Sequence, residues 1–154
     1  MYKKILVPVD GSDTAELGFQ EALALARCVG GSLVVLNVVD TYPLATGLDL
    51  VSADTWQQIS DDLRARGQSV LDACQKQARE QGVAAETQLV DGGTGRVADV
   101  IVDTARDTDC QLIVMGTHGR RGWSHLALGS DAERVTRLSR VPLLLVRHAD
   151  AARI

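Results

Sequence analysis

Aromatic residues are scarce in this chain of 154 residues, where Phe, Trp and Tyr together make up only 3%. Because the hydrophobic fraction is still 45%, a core must be built from Val, Leu, Ile and Ala. Such a core favours layered α/β packing, and the length predicts a single domain over residues 1–154.

Cysteine is also rare. Cys28, Cys74 and Cys110 are odd in number, lie far apart and form no CxxC pair. This pattern argues against redox and metal roles, and we expect all three to be buried as small hydrophobic residues.

Long apolar runs are absent as well. No stretch approaches the roughly 18 unbroken apolar residues of a membrane span, and the short N-terminal run is broken by Pro8 and Asp10. The net charge of −4 argues against a general nucleic-acid or anionic-membrane surface. We therefore expect a cytoplasmic protein with neither nucleic acid nor membrane as a partner.

Short aliphatic runs alternate with segments of helical periodicity. The runs predict strands at residues 5–9, 33–39, 86–90, 111–115 and 141–146. Apolar residues at helical spacing predict four helices, one between each strand and the next, the last over residues 130–139. Residues 40–55 are predicted to form a long surface loop.

Two helix starts carry capping signals. Asp13 and Glu16 stand at capping-box spacing before the first helix, and Ser130 and Glu133 repeat that spacing before the last. Ser130 is therefore the expected N-cap of the last helix, which would put Asp131 at its first helical position.

This alternation predicts an open five-stranded parallel sheet with helices on both faces. In such sheets the ligand lies beyond the carboxyl ends of the strands, where the winding direction reverses. The richest turn signals follow the first strand, at Asp10-Gly11-Ser12, and the fourth, from Gly116 onward. In the strand order 3-2-1-4-5, both loops would open onto one crevice.

Residues 116–130, called here the glycine loop, lead from an apolar strand into a helix. Glycines let backbone amides approach an anion closely, and a helix N-terminus offers unpaired N–H groups and a positive dipole end. The glycine loop is therefore a candidate phosphate site. On spacing alone, the alternative that its glycines merely turn the chain stays open.

The spacing of the glycine loop resembles a family signature. Gly116 and Gly119, nine further residues, and then Gly129-Ser130 match the G-x-x-G, nine residues, G-[ST] motif of the ATP-binding branch of the universal stress proteins. The resemblance extends from KKILVPVDGS through CQLIVMGTHGRRG to VPLLLVR, which is nearly the whole chain.

The resemblance implies a Rossmann-like fold of the adenine nucleotide alpha hydrolase-like kind, binding ATP, ADP or AMP and acting as a stress-responsive regulator. Carried over by position, the adenosine side comprises Pro8, Val9 and Asp10, with Val38 against the adenine. Met115, Gly116, His118 and Gly119 would flank ribose and phosphates, and Gly129 and Ser130 would hold the phosphates.

Two charged positions could tune phosphate affinity. Arg120, beside Arg121, could screen the phosphates, although adjacent loop arginines are commonly just solvated. Asp131 would repel an arriving polyphosphate, and the family more often carries an uncharged residue there, so Asp131→Val is expected to tighten binding.

No catalytic residue is assigned. Asp10 could orient a ribose hydroxyl or help hold Mg²⁺ or Mn²⁺ carried by the phosphates, but no second acid or histidine is placed as a base, so any ATP hydrolysis should be slow. The three histidines lack metal-ligand spacing.

Other nucleotide motifs fit less well. Residues 93–98 match G-x-G-x-x-A after a strand, but no acidic residue ends the next strand. No Walker-type G-x-x-x-x-G-K-[ST] occurs, and the acidic loop after the first strand does not suit the phosphate of FMN.

The last strand, residues 141–146, is strongly apolar and should lie at the sheet edge, with Pro142 tolerated there. We expect a homodimer through this strand, as the resemblance also implies. The alternative function is a nucleotide-independent homodimeric interaction protein, acting on an unknown protein partner, in which the glycine loop is vestigial.

Overall fold

Five parallel strands form the centre of the computed structural model, which describes residues 1–41, 52–93, 95–118 and 128–147. The strands are β1 (Lys4–Pro8), β2 (Ser32–Val39), β3 (Ala85–Asp91), β4 (Leu112–Gly116) and β5 (Leu143–Val146). They pair in the order β3-β2-β1-β4-β5, and every neighbouring pair is parallel. The predicted sheet and its strand order are confirmed.

In the described ranges, four helices cover the two faces of this sheet. They are α1 (Asp13–Val29), α2 (Ala53–Glu80), α3 (Val97–Asp107) and α4 (Ser130–Leu138). Because strand side chains alternate, Ile5 and Val7 pack under α1 and α2, whereas Leu6 packs under α3 and α4. Phe19 of α1 is the fully buried aromatic side chain of the described core, and Tyr2 packs against the same core while partly buried. No helix of the described part is long and apolar enough to cross a membrane.

The start of α1 corrects the capping prediction for Asp13. Ser12 is the N-cap: its backbone is extended and its Oγ accepts a hydrogen bond of 3.3 Å from the N–H of Ala15. Asp13 is already the first helical residue. The N-cap is the residue at which the backbone changes from extended to helical. The Asp10 side chain fixes that residue as Ser12, because it accepts hydrogen bonds from the N–H and the Oγ of Ser12.

The start of α4 is also one residue earlier than predicted. Gly129 is the extended N-cap, and its carbonyl accepts a hydrogen bond of 2.9 Å from the N–H of Glu133. Ser130 therefore begins the helix, and Asp131 is its second residue rather than its first. Contact with the segment after β4 decides this position, because the N–H of Gly129 donates to the carbonyl of Thr117 at 2.8 Å.

Strand boundaries differ from the predicted ones by one or two residues, and two of the boundary shifts have a visible cause. The loop predicted over residues 40–55 ends earlier, because Ser52 caps a helix that begins at Ala53; residues 42–51 lie outside the described residues. β5 starts at Leu143 rather than at Val141. The Oγ of Ser139 binds both the N–H of Val141 (3.2 Å) and its carbonyl (2.7 Å), which forms a turn before the strand.

The cysteines divide into two kinds. Cys74 and Cys110 are buried as expected, and burial raises the pKa of both thiols, that of Cys74 to about 12. The prediction is wrong for Cys28, which is exposed. Cys28 lies two residues after the buried Ala26, so the helical turn carries it off the buried face of α1.

Candidate functional site

The carboxyl ends of β1 and β4 meet at the centre of the sheet, where the strand order reverses. The chain leaves β1 for α1 on one face and reaches α4, on the other face, after β4. Such a switch point leaves a crevice between the two departing loops. The predicted adjacency of β1 and β4, from which these loops start, is therefore confirmed.

The loop after β1 is held by Asp10. Its Oδ1 accepts hydrogen bonds from the N–H of Ser12 (2.9 Å) and from the Oγ of Ser12 (2.6 Å). Gly11 between them has φ +80°, a conformation that glycine adopts without strain. This turn fixes the Asp10 carboxylate at the carboxyl end of β1.

Three predicted residues share one face of the sheet. Val38 and Met115 pack with the core under α3 and α4, and Pro8 lies in register with Leu36 of that same core. Pro8 and Val38 are half-buried, and Met115 is buried. We call Pro8, Val38 and Met115 the apolar floor of the crevice.

Val9 differs from the apolar floor, because its side chain is buried in the opposite core, under α1 and α2. Only its main chain could serve the crevice. That main chain is already engaged: the N–H donates to the carbonyl of Leu36 at 2.8 Å, and the carbonyl accepts from the Nδ2 of Asn37 at 2.8 Å.

Packing requires a residue without a side chain at Gly116, the last residue of β4. A Cβ at this position would lie 2.6 Å from the carbonyl oxygen of Thr14 in α1, which backbone cannot accommodate. Gly18 is the matching position on α1, where a Cβ would lie 3.1 Å from the nitrogen of Gly116. Close approach of α1 to β4 therefore explains Gly116 whether or not a phosphate binds.

Gly129 brings α4 against the residues that follow β4. Besides its hydrogen bond to Thr117, a Cβ at Gly129 would lie 3.0 Å from the Thr117 carbonyl oxygen and 3.4 Å from the Cα of His118. The two ends of the glycine loop thus lie together at the crevice. Gly119 and Arg120, also predicted for the site, lie outside the described residues.

His118 is held from two sides. Its Nδ1 lies 2.9 Å from the Oγ1 of Thr117, which is buried, and its carbonyl accepts a hydrogen bond from the Oγ1 of Thr14. Within the described residues, no three His, Cys, Asp or Glu side chains are grouped to hold a metal ion.

The Gly129 N-cap of α4 makes no side-chain capping hydrogen bond, and the positive end of the helix dipole lies at this N-terminus. Ser130 and Asp131 are exposed there. The Nε and Nη2 of Arg134 bind the Asp99 carboxylate at 3.0 and 3.1 Å, which fixes α4 against α3.

Sequence reasoning missed three residues that shape the crevice. Asn37 carried a signal, since it is a polar residue inside the apolar run LVVLNVV. Thr14 and Thr117 carried no sequence signal, because the hydrogen bonds that they make to His118 are evident only in the tertiary structure.

Comparison with known proteins gives a consistent result. The family model described as the universal stress protein family matches residues 1–147. Universal stress protein MJ0531 of Methanocaldococcus jannaschii is 35% identical over 147 residues, covering 96% of this chain and 83% of that protein. Universal stress protein YxiE of Bacillus subtilis is 32% identical over 151 residues, covering 96% and 100%.

Solved structures share the fold. That of the M. jannaschii protein MJ0577 superposes with a TM-score of 0.85 at 26% identity, covering 97% of this chain and 99% of the other. A universal stress protein in complex with cAMP has a TM-score of 0.66 at 20% identity, covering 95% and 97%. One from Archaeoglobus fulgidus in complex with dAMP has 0.67 at 23%, covering 95% and 98%.

Proposed function

This chain belongs to the universal stress protein family, and from that premise we propose that it is a stress-response regulatory module that binds ATP or a related adenine nucleotide. One observation carries the proposal. The apolar floor lies at the carboxyl ends of the strands, on the sheet face that α4 covers, so a site for a flat base would adjoin a site for phosphates at the N-terminus of α4.

The adenosine half would use the apolar floor. Val38 and Pro8 are half-buried, which leaves apolar surface at the strand ends for an adenine ring to cover. The Asp10 carboxylate at the end of β1 would accept a hydrogen bond from a ribose hydroxyl. Val9 would make no side-chain contact with the nucleotide, since its side chain is in the opposite core.

The phosphate half would use Gly129 and Ser130 at the start of α4, with Gly116 and His118 at the end of β4. A Cβ at Gly129 would be tightly crowded by Thr117, which favours glycine here, and a glycine backbone also lets a phosphate approach closely. Gly119 and Arg120 would complete this half, and Mg²⁺ or Mn²⁺ would arrive with the phosphates.

Structures with the same fold have been solved with cAMP and with dAMP. At 20% and 23% identity they are evidence about the fold only. They support the proposal to the extent that proteins of this fold can bind an adenine nucleotide. The choice of ATP for this chain rests on the glycine loop and on α4.

A second function has its own support. Gly116 and Gly129 are both explained by packing against Thr14 and Thr117, which needs no ligand. β5 lies at a sheet edge, where Leu144 is 37% exposed, and an apolar edge strand favours pairing with a second copy. A nucleotide-independent homodimer that binds another protein, in the cytoplasm, is therefore the competing proposal.

Calorimetric titration of nucleotide-free protein with ATP, ADP and AMP, with and without Mg²⁺, separates the two functions. The nucleotide proposal expects measurable heat, strongest with magnesium, and expects Gly129→Val to abolish it by crowding Thr117 and the phosphate path. Ala24→Val, at an exposed position on α1 remote from its N-terminus, is the control for a valine introduced elsewhere. Absence of heat and of any thermal shift with all three nucleotides would favour the interaction protein.

A further inference from the structure

Thr14 is the described residue that joins the two loops of the crevice directly. It lies in the first turn of α1, directly after the Asp10 turn, and its Oγ1 donates a hydrogen bond to the carbonyl of His118 beyond β4. The two partners are 104 positions apart in the chain. This contact is therefore a tertiary link between the loop after β1 and the loop after β4.

The proton of the Thr14 hydroxyl is committed to this link. The neighbouring Ser12 Oγ lies 3.4 Å away, but Ser12 donates its own single proton to the Oδ1 of Asp10 at 2.6 Å. Each hydroxyl has one proton, so Thr14 donates to His118 and Ser12 donates to Asp10. The Asp10 turn and the His118 carbonyl are thus held by adjacent side chains of one helix start.

The backbone around Thr14 makes the link rigid. The Thr14 carbonyl oxygen and Cβ would lie 2.6 and 3.0 Å from a Cβ at Gly116, so α1 rests directly on the last residue of β4. Two residues further, the Cα of His118 would lie 3.4 Å from a Cβ at Gly129, so His118 lies next to the cap of α4. Neighbouring residues therefore connect the Thr14 hydroxyl, through His118, to the start of α4.

We propose that Thr14 is a positioning residue, whose hydroxyl fixes the His118 carbonyl and thereby holds the Gly129 end of the crevice in its nucleotide-binding arrangement. The inference rests on the proposed function for its ligand. Without the hydroxyl, the segment Thr117-His118 would occupy several positions, and the apparent affinity would fall with the fraction that remains competent.

The test compares Thr14→Val, which keeps the shape and removes the donor, with Thr14→Ser, which keeps the donor. Loss of one hydrogen bond predicts ATP affinity about three- to tenfold weaker for Thr14→Val. Thr14→Ser should stay within about twofold of wild type, because its hydroxyl can make the same bond. The matched control is Thr108→Val, which removes a 2.7 Å hydroxyl bond to the Thr104 carbonyl at the far end of α3.

A second readout needs no ligand. Amide hydrogen exchange at Gly129, whose N–H donates to Thr117, should accelerate in Thr14→Val and not in Thr14→Ser or Thr108→Val. The amide of Val83, bonded to Ala78 at the opposite end of the sheet, should be unchanged in all three.

Unchanged exchange at Gly129 in Thr14→Val, or equal loss of affinity in Thr14→Ser and Thr14→Val, would overturn the proposal. Wild-type protein that binds no nucleotide would overturn the proposed function instead. In that case the exchange result still decides whether the Thr14 hydroxyl positions the His118 segment.

Discussion

The side-chain amide of Asn37 donates a hydrogen bond of 2.8 Å to the main-chain carbonyl of Val9. Asn37 is only 5% exposed, under α2, where Gly67 makes room for it. The bond pairs the Val9 carbonyl where β1 ends, directly before Asp10. Asn37 therefore sets the point from which the Asp10 turn begins.

Replacing Asn37 with the nearly isosteric Leu should destabilise the protein by about 1–3 kcal/mol, because the buried carbonyl of Val9 loses its partner. Urea unfolding would measure the loss. Gln57→Leu, on the exposed side of α2, should change the free energy of unfolding by less than about 0.5 kcal/mol. Equal stability of the two variants would contradict the role given to Asn37.

Gly67→Ala should also destabilise, although alanine favours a helix by about 1 kcal/mol. The new Cβ would lie 2.3 Å from the Oδ1 of Asn37 and 2.8 Å from the Cδ1 of Leu89. Overpacking of this kind costs about 1–3 kcal/mol, measured by the same unfolding experiment. Gln68→Ala, exposed on the next position of α2, should be close to neutral. A Gly67→Ala protein as stable as wild type would show that α2 can move away from β2.

The buried thiol of Cys74 should make stability fall at alkaline pH. Its pKa is raised from 9.0 to about 12 by burial and by the nearby Glu16 carboxylate, so the folded state keeps the proton that the unfolded chain releases. This contribution is complete below about pH 9 and is lost as the pH rises from 9 towards 12.

The measurement is the free energy of unfolding between pH 8 and roughly pH 10.5, for wild type, Cys74→Ala and Cys28→Ala. In Cys74→Ala, the free energy of unfolding should fall less steeply with rising pH than in wild type. In Cys28→Ala, which removes an exposed thiol, the slope should equal that of wild type. Identical slopes in all three proteins would count against this assignment.

A homodimer through β5 should be weakened by Leu144→Lys. Leu144 lies 37% exposed on this edge strand, and a lysine there introduces like charges opposite each other across a two-fold interface. Sedimentation at micromolar concentration is expected to show a dimer for wild type and a monomer for the variant. Gln88→Lys, on the opposite edge strand β3, is the control. A monomeric wild type would refute the β5 dimer.

Asp131→Val should tighten ATP binding, because the carboxylate stands exposed in the first turn of α4 and repels a polyphosphate. The gain should shrink as salt is raised, since exposed charges are screened. Glu21→Gln, an equal change of charge on exposed α1, should have little effect on titration with ATP. An affinity gain that does not depend on salt would point to a cause other than charge.

Aliphatic runs and helical periodicity are local patterns, and they were enough to predict the five-stranded parallel sheet. The strand order was the one expected for such a sheet, and the resemblance carried by the glycine motif indicated the family. Strand ends remained uncertain by one or two residues, as at Val141, since a neighbouring side chain there competes for the backbone. The expected order also places β1 beside β4, as the structure does.

Only the tertiary structure decided which atoms line the crevice. The side chain of Val9 lies in the opposite core, Gly116 is explained by packing against Thr14, and Gly129 rather than Ser130 caps α4. The contact of Thr14 with His118 spans 104 positions and leaves no periodic signal. The physical reason is that local patterns report which face of an element is buried, whereas hydrogen bonds between elements depend on how those elements are placed against one another.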